Sequence, residues 1–267
     1  MTKIGCNYSI ELMELLNDEI IDVDYIKVTL DDFFKEHIDI AKELKPLMVH
    51  YLGYQERATM KDFKSIDFDY INSKLQELAS PVTGIHTYID KEDFESKDPS
   101  YGEALERTLE VLSHFKNSLN VPILIENYPY SEYYDSLDNH YLTADPRLFH
   151  DICESLDLGV ILDIAHAKCY SSHEGISLKE YLIKFPLNRI VELHVNSTFE
   201  HEEHGVIDKH LELTEEDYEI IEWLIERCEI QYLTLEYGGI GKVQLDGRSN
   251  KESIERQLVR LTNILNY

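Results

Sequence analysis

Short apolar segments alternate with longer amphipathic segments from one end of the chain to the other. The short segments are rich in Val, Ile and Leu and predict β-strands at residues 3–6, 24–28, 47–50, 82–87, 122–126, 160–163, 190–194 and 232–236. In the longer segments apolar residues recur every three or four positions, which predicts helices at residues 9–16, 70–78, 104–119, 146–156, 217–229 and 253–265. We therefore expect a repeated strand–helix unit.

The predicted strands have the character of a parallel sheet. Residues 123–125 read Ile-Leu-Ile and residues 160–162 read Val-Ile-Leu, and such continuous apolar runs are typical of parallel strands buried on both faces. Eight of them with intervening helices predict a (β/α)8 barrel, the TIM-barrel fold, as a single domain over residues 1–267. The alternative is an open doubly wound sheet. It usually has a glycine-rich phosphate loop after its first strand, and Gly5-Cys-Asn-Tyr8 is not such a loop.

Four segments between the periodic ones lack a regular pattern, and each follows a predicted strand. They are residues 54–65, 90–101, 128–143 and 195–205. In a barrel these segments gather at the carboxyl ends of the strands, where active sites are built. Thr214-Glu-Glu-Asp217 resembles a capping box and predicts the start of the helix after the seventh strand.

The excess of acidic over basic residues argues against two classes of binding partner. The chain has 52 Asp and Glu against 25 Lys and Arg, a formal net charge of −27. This charge disfavours a nucleic-acid backbone and an anionic membrane surface as partners. No apolar run approaches the roughly 20 residues needed to span a bilayer, and residues 1–6 do not resemble a signal peptide. Four widely spaced cysteines suit reduced thiols, so we expect a cytoplasmic protein.

Histidines and carboxylates occupy the ends of the predicted strands and the segments just beyond them. Barrel active sites lie at this face, and several carboxylates crowded together repel one another unless cations lie between them. Mixed imidazole and carboxylate ligation suits iron, zinc or manganese, and the absence of Cys argues against thiolate chemistry. The nine candidate metal ligands are His50, His86, Glu126, Asp163, His166, His194, Asp208, His210 and Glu236, with Asp208 and His210 expected in a loop.

Further roles can be assigned within and around this set. We expect Glu126, Asp163 and Glu236 to be catalytic as well as metal-binding, and Asn127, Asn196 and His204 to bind substrate. For His204 the alternative is a merely solvated loop, since it follows Glu202-Glu203. The tyrosines at positions 128, 130, 133 and 134 are candidates for a substrate groove, although most of the 18 tyrosines must be structural.

The order of the nine candidate ligands resembles the trinuclear metal site of the xylose-isomerase-like barrels, such as endonuclease IV. The local sequence is more similar to the DUF692 family of multinuclear non-heme iron-dependent oxidative enzymes. The similar stretches are Leu47-Met-Val-His50-Tyr-Leu-Gly53, Ser80-Pro-Val-Thr-Gly-Ile-His86, Ile125-Glu-Asn127, Val206-Ile-Asp-Lys-His210 and Leu235-Glu-Tyr237.

This resemblance implies two or three bound transition-metal ions, with iron favoured and zinc or manganese as alternatives. It implies a third-metal group of His166, Asp208 and His210, and an iron pair held by the remaining six ligands. Family members use dioxygen to remodel ribosomally made peptides, often at Cys, and commonly work with a partner protein that presents the peptide. Many family members have the sequence Asp-x-Asn-Asn where this chain has Asp163-Ile-Ala-His166. The segment His194-Val-Asn-Ser197 also differs from the usual family sequence.

Four functions remain open at this stage. The favoured one is oxidative modification of a peptide or small substrate. The alternatives are an endonuclease IV-like phosphodiester hydrolase, a metal-dependent sugar isomerase or epimerase, and a barrel that only binds metal. Charge argues against the nuclease, because residues 195–210 contain four carboxylates and Lys209 as their only Lys or Arg. No lysine at a predicted strand end matches a catalytic isomerase pattern.

Overall fold

Eight parallel strands close into a barrel in the computed structural model, which describes residues 1–30, 35–52 and 57–266. Gly53 of the quoted sequence stretch and residues 54–56 of the first irregular segment lie outside the described residues. The barrel strands are β1 Lys3–Asn7, β2 Tyr25–Val28, β3 Leu47–His50, β4 Thr83–His86, β5 Ile123–Glu126, β6 Gly159–Asp163, β7 Ile190–Val195 and β10 Tyr232–Leu235. Neighbouring strands follow the order β1-β10-β7-β6-β5-β4-β3-β2, so the predicted TIM barrel is confirmed.

Helices cover the outside of the barrel. They are α1 Ile10–Asn17, α2 Lys35–Leu44, α3 Phe68–Glu77, α4 Tyr101–Ser118, α5 Glu132–Asp135, α6 Pro146–Leu156, α7 Ile164–His173, α8 Leu178–Leu182, α9 Glu215–Ile225, α10 Lys242–Leu245 and α11 Lys251–Leu265. The six predicted helices correspond to α1, α3, α4, α6, α9 and α11. The predicted capping box is present at the start of α9, where Thr214 and Asp217 bond reciprocally.

The apolar layer between strands and helices forms the main core. Strand residues such as Ile125 and Leu162 and helix residues such as Leu112 and Phe115 are at most 1% exposed and belong to one cluster. All eight barrel strands pair in parallel, and their carboxyl ends therefore lie at the same end of the barrel.

One predicted loop is wrong. Residues 195–205 were expected to be irregular, and Asp208 and His210 were expected in a loop, but the chain forms an antiparallel hairpin of β8 Ser197–His201 and β9 Gly205–Leu211. The hairpin packs against α7. Its apolar signal is weak because Ile207 is buried while Phe199 is 46% exposed. Gly205, at φ +65°, adopts the left-handed backbone conformation that the turn requires.

Candidate metal centre

The carboxyl ends of six strands bring the predicted ligands into contact. His50, His86, Glu126 and Asp163 are the last residues of β3, β4, β5 and β6; His194 lies in β7, and Glu236 directly follows β10. The other three come from adjoining elements: His166 lies in the first turn of α7, and Asp208 and His210 lie on β9. We call these nine residues the ligand cluster. Each has an oxygen or nitrogen atom within 4.0 Å of another member.

Glu126 occupies the middle of the ligand cluster. Its Oε2 atom lies 2.9 Å from His50 Nε2 and 3.3 Å from His86 Nε2. Its Oε1 atom lies 3.0 Å from His194 Nδ1, and that nitrogen is 3.3 Å from Glu236 Oε1. One carboxylate is therefore shared by imidazoles from three different strands.

A second group of ligands surrounds Asp208. Its Oδ2 atom lies 3.2 Å from His210 Nε2 and 3.6 Å from His166 Nε2. His210 Nδ1 is 3.9 Å from Glu236 Oε2, which joins this group to the one around Glu126. The hairpin thus contributes two ligands that the barrel strands do not supply.

Local structure holds several ligands in place. Asp163 caps α7, and its Oδ1 atom accepts a hydrogen bond of 2.7 Å from the backbone N–H of His166. The ring of His50 lies against Gly84, where a Cβ atom would come within 2.3 Å of His50 Nδ1. Tyr134 Oη accepts a 3.0 Å hydrogen bond from the backbone N–H of Asp208. Capping, a glycine and a tyrosine therefore set the positions of three ligands.

The three residues expected to bind substrate, Asn127, Asn196 and His204, lie in different surroundings. Asn127 is 1% exposed, and its amide both donates to and accepts from the backbone of Asp163, at 2.9 and 2.8 Å. Asn196 is buried and its Nδ2 atom is 3.3 Å from Asp163 Oδ2. Both amides thus help to position Asp163, and their expected role in substrate binding stays a prediction. His204 lies in the hairpin turn, stacked on His201 at 4.6 Å between ring centroids.

The carboxylates and imidazoles of the ligand cluster shift one another's pKa. Burial would lower the pKa of both His166 and His210, but Asp208 with Asp163 outweighs it and raises each pKa to about 10. Burial would likewise raise the pKa of Glu126, but the imidazoles of His194 and His86 hold it well below its usual range. Protonated His166 and His210 therefore offset part of the carboxylate charge in the metal-free protein, and metal ions would replace those protons.

The residues present fit metal ions. Glu126 Oε2 is buried and accepts no hydrogen bond, although two imidazole nitrogens lie within 3.3 Å. Nitrogen and oxygen atoms that are close but not hydrogen-bonded have the arrangement of ligands facing a shared ion. One set of donor atoms, from Glu126, Asp163, His194 and Glu236, lies within 4.8 Å of one another, and a second, from His50, Glu126 and His194, does the same. Imidazole and carboxylate donors suit iron, zinc or manganese.

A pair of charged residues below the ligand cluster was not identified from the sequence. Lys27 on β2 and Glu192 on β7 are 4% and 0% exposed and contact each other inside the barrel. Both also contact His194. The available signal was a charged residue within each of two otherwise apolar strand segments.

A cleft of about 470 Å³ opens over the second group of ligands. His86, His166, Asp208 and His210 line its floor, and four tyrosines line its walls: Tyr88, Tyr128, Tyr133 and Tyr134. Lys209 and Arg248 also line it. Tyr130 is not among its lining residues; its hydroxyl bonds to Asp135, 2.9 Å away, and its ring packs against His173.

No helix in the described part of the chain is long and apolar enough to cross a membrane.

Comparison with known proteins identifies a family. The model of the family described as "RiPP precursor modification enzyme MbnB/TglH/ChrH" matches residues 67–239, whereas no curated protein matches by sequence. A D-tagatose 3-epimerase-like protein is similar in structure, with 18% identity, a TM-score of 0.67 and coverage of 99% of this chain and 97% of that one.

Two further solved structures share the barrel. The TTHB071 protein from Thermus thermophilus, soaked with ZnCl2, has 17% identity, a TM-score of 0.57 and coverage of 92% of this chain and 96% of its own. SacUVDE has 13% identity, a TM-score of 0.53 and coverage of 100% and 99%. At these identities the likeness shows the fold alone.

Proposed function

Because this chain belongs to the family of RiPP precursor modification enzymes MbnB/TglH/ChrH, we propose that it is an iron enzyme that uses dioxygen to oxidise a ribosomally made peptide. The observation that carries the proposal is the ligand cluster, in which nine imidazole and carboxylate side chains meet under a tyrosine-lined cleft. A partner protein that presents the peptide belongs to the same proposal.

The ligands divide into two groups. His50, His86, Glu126, Asp163, His194 and Glu236 would hold a pair of ions, and His166, Asp208 and His210 would hold a third. Iron at these positions would supply the redox chemistry, whereas zinc would supply only Lewis acidity. Glu126 contacts His50 and His194, which belong to the pair, and Glu236 contacts His194 of the pair and His210 of the third site. Asp163 belongs to the pair and lies 3.8 Å from His166 of the third site. We therefore assign these three carboxylates the task of holding the ions close together.

The cleft explains how a peptide side chain would approach the ions. Four of the nine ligands line its floor, so a side chain that enters the cleft meets the ligand cluster directly. A volume of about 470 Å³ lies in the range of small-ligand pockets, and it admits a few residues rather than a folded protein. Tyrosine rings offer apolar faces and hydroxyl groups for binding an extended segment.

A phosphodiester hydrolase is the second candidate, and two observations favour it. His166 completes a third group of ligands, and Lys209 and Arg248 give the cleft two cationic side chains for a phosphate. Against it stands the net charge of −27, with Glu200, Glu202 and Glu203 on the adjoining hairpin.

One apo preparation can test both functions. Loaded anaerobically with ferrous iron and exposed to air, the protein should consume dioxygen when given a Cys-containing peptide encoded beside its gene. Mass spectrometry should then show an oxidised or rearranged peptide. Loaded with zinc, the protein should not cleave duplex DNA that carries an abasic site. Metal content is measured in each arm, so that failure to load is not mistaken for absence of activity.

The outcomes separate the candidates. Dioxygen consumption that depends on both iron and peptide supports the oxidative proposal. Efficient DNA cleavage that EDTA abolishes, without peptide oxidation, would replace it with the hydrolase.

A further inference from the structure

A second cavity reaches the ligand cluster at the barrel mouth. It has a volume of about 170 Å³ and lies over residues that end or follow β1, β2, β3 and β10, such as Asn7, Thr29 and Gly238. The cleft described above lies instead over residues that end or follow β4 and β5 and over the β8–β9 hairpin. We call the second cavity the small pocket. The two cavities thus lie over different strands of the same mouth.

The small pocket and the cleft meet different ligands of the proposed metal pair. His50 and Glu236 line the small pocket, whereas His86 lines the cleft. Glu126 Oε2 contacts both sides, 2.9 Å from His50 Nε2 and 3.3 Å from His86 Nε2. A pair of ions held by these ligands would therefore be reached from either cavity.

The lining of the small pocket suits a small neutral molecule. Val28, Ile240 and Val243 supply apolar side chains, and Gly238 and Gly239 add none.

The charged and hydroxyl groups beside these walls are already paired. Lys27 lines the small pocket, but its ammonium contacts Glu192 and His194. The hydroxyl of Tyr8 lies 3.0 Å from His37 Nδ1. An ionic ligand would have to compete for these partners, whereas a neutral one would not.

Size separates the two cavities further. A water molecule takes about 30 Å³, so a cavity of about 170 Å³ holds a few molecules of that size. The cleft, at about 470 Å³, is nearly three times as large and is the one that admits a peptide segment. A peptide that fills the cleft would cover the approach to the ions from that side, so a second substrate needs another way in.

We propose that the small pocket binds dioxygen and admits it to the metal pair while the peptide occupies the cleft. Dioxygen is small, neutral and apolar, as this lining requires, and it is the co-substrate of the proposed oxidation. The inference rests on the proposed function, and it adds that the two substrates enter through separate cavities.

Xenon is a suitable probe, because it occupies apolar cavities and needs neither iron nor peptide. Diffraction from crystals of the wild type under xenon pressure should show xenon in the small pocket. Val243 lies on α10 and packs over Gly239, where an added Cβ atom would lie 3.2 Å from Val243 Cγ1. Val243→Phe should fill the small pocket and exclude xenon, whereas Val243→Ala should retain it.

Steady-state kinetics of the iron-loaded protein provide the second measurement. Val243→Phe should lower kcat/KM for dioxygen several-fold while KM for the peptide stays the same, and Val243→Ala should react with dioxygen faster than Val243→Phe does. Leu245→Phe is the matched control: it makes the same kind of change on the same helix, at a side chain that is 87% exposed and does not line the small pocket. It should react like the wild type. Metal content and circular dichroism are measured for every form.

The outcomes separate this inference from the proposed function. Absence of dioxygen consumption by every iron-loaded form would overturn the proposed function. Dioxygen consumption with no xenon in the wild-type pocket, or with an unchanged kcat/KM for dioxygen in a Val243→Phe variant that excludes xenon, would overturn this inference alone. If Val243→Phe does not fold, the position of xenon in the wild type and in Val243→Ala still decides whether the small pocket takes an apolar gas.

Discussion

Replacing Glu126 by glutamine is the sharpest test of a shared carboxylate. The substitution keeps the volume and removes one charge at a side chain that is 1% exposed. Its two oxygens lie 2.9 Å from His50 Nε2 and 3.0 Å from His194 Nδ1, so one carboxylate serves ligands on both sides of the cluster. We therefore expect Glu126→Gln to weaken two metal sites at once.

The size of the effect follows from simple electrostatics. A unit charge at about 4 Å from another contributes about 4 kcal/mol at an effective dielectric constant of about 20. If solvent and the remaining ligands recover two thirds of that energy, about 1.4 kcal/mol is lost at each site, which corresponds to about tenfold in affinity. A divalent ion doubles the charge, so tenfold is a lower bound.

Elemental analysis and chelator competition measure the result. The Glu126→Gln variant should lose more than one equivalent of metal after dialysis, while its circular dichroism spectrum is unchanged. Glu110→Gln, at a glutamate on the surface of α4 that pairs with Arg107, is the control and should retain the wild-type content. Loss of one equivalent or none from Glu126→Gln would show that the carboxylate does not bridge two ions.

Three further predictions concern the second group of ligands and the cleft. His166→Asn should lower the occupancy of one metal site, and adding His210→Ala should lower it little further, because both histidines contact Asp208. Metal analysis that shows fully additive losses would mean that the two histidines serve separate sites. Tyr133→Ala should raise KM for the peptide several-fold with little change in kcat, whereas Tyr130→Ala, outside the cleft, should leave KM unchanged. The metal-free protein should become less stable to urea as pH rises from 7 to 10. Protonated His166 and His210 stabilise the folded state fully below about pH 6.5, and this stabilisation is lost as pH rises past their folded pKa of about 10. A urea midpoint that stays constant from pH 7 to 10 would contradict the assigned protonation.

The sequence was sufficient to predict the barrel and to choose residues that the fold brings together. The reason is geometric: in a parallel barrel the residues that end successive strands converge, so reading the last residue of each apolar run identifies neighbours in space. Glu126 and Asp163 end adjacent strands and were predicted on that basis. Asp208 and His210 were chosen correctly as neighbours of these residues but were assigned to a loop.

Three features required the structure. The β8–β9 hairpin has too few buried positions for a clear alternation, because Phe199 on it is exposed. The role of Asn127 depends on a partner 36 residues away, the backbone of Asp163, which no local pattern encodes. Lys27 and Glu192 were visible as charges in apolar strands, but their contact with His194 depends on how the strands are staggered around the barrel.

The charge of the cleft also changes with metal loading. The ligand cluster contains four carboxylates, and the chain as a whole carries −27. Two divalent ions bound by neutral imidazoles balance the four carboxylates, and a third leaves the barrel mouth positive beside Lys209 and Arg248. In the metal-free protein protonated His166 and His210 offset part of the carboxylate charge, whereas three ions leave the cleft positive, so an anionic group such as a thiolate is attracted more strongly by the loaded cleft. Substrate affinity should follow metal occupancy for this reason, because the charge around the cleft acts on a bound ligand at shorter range than the remaining charge of the chain does.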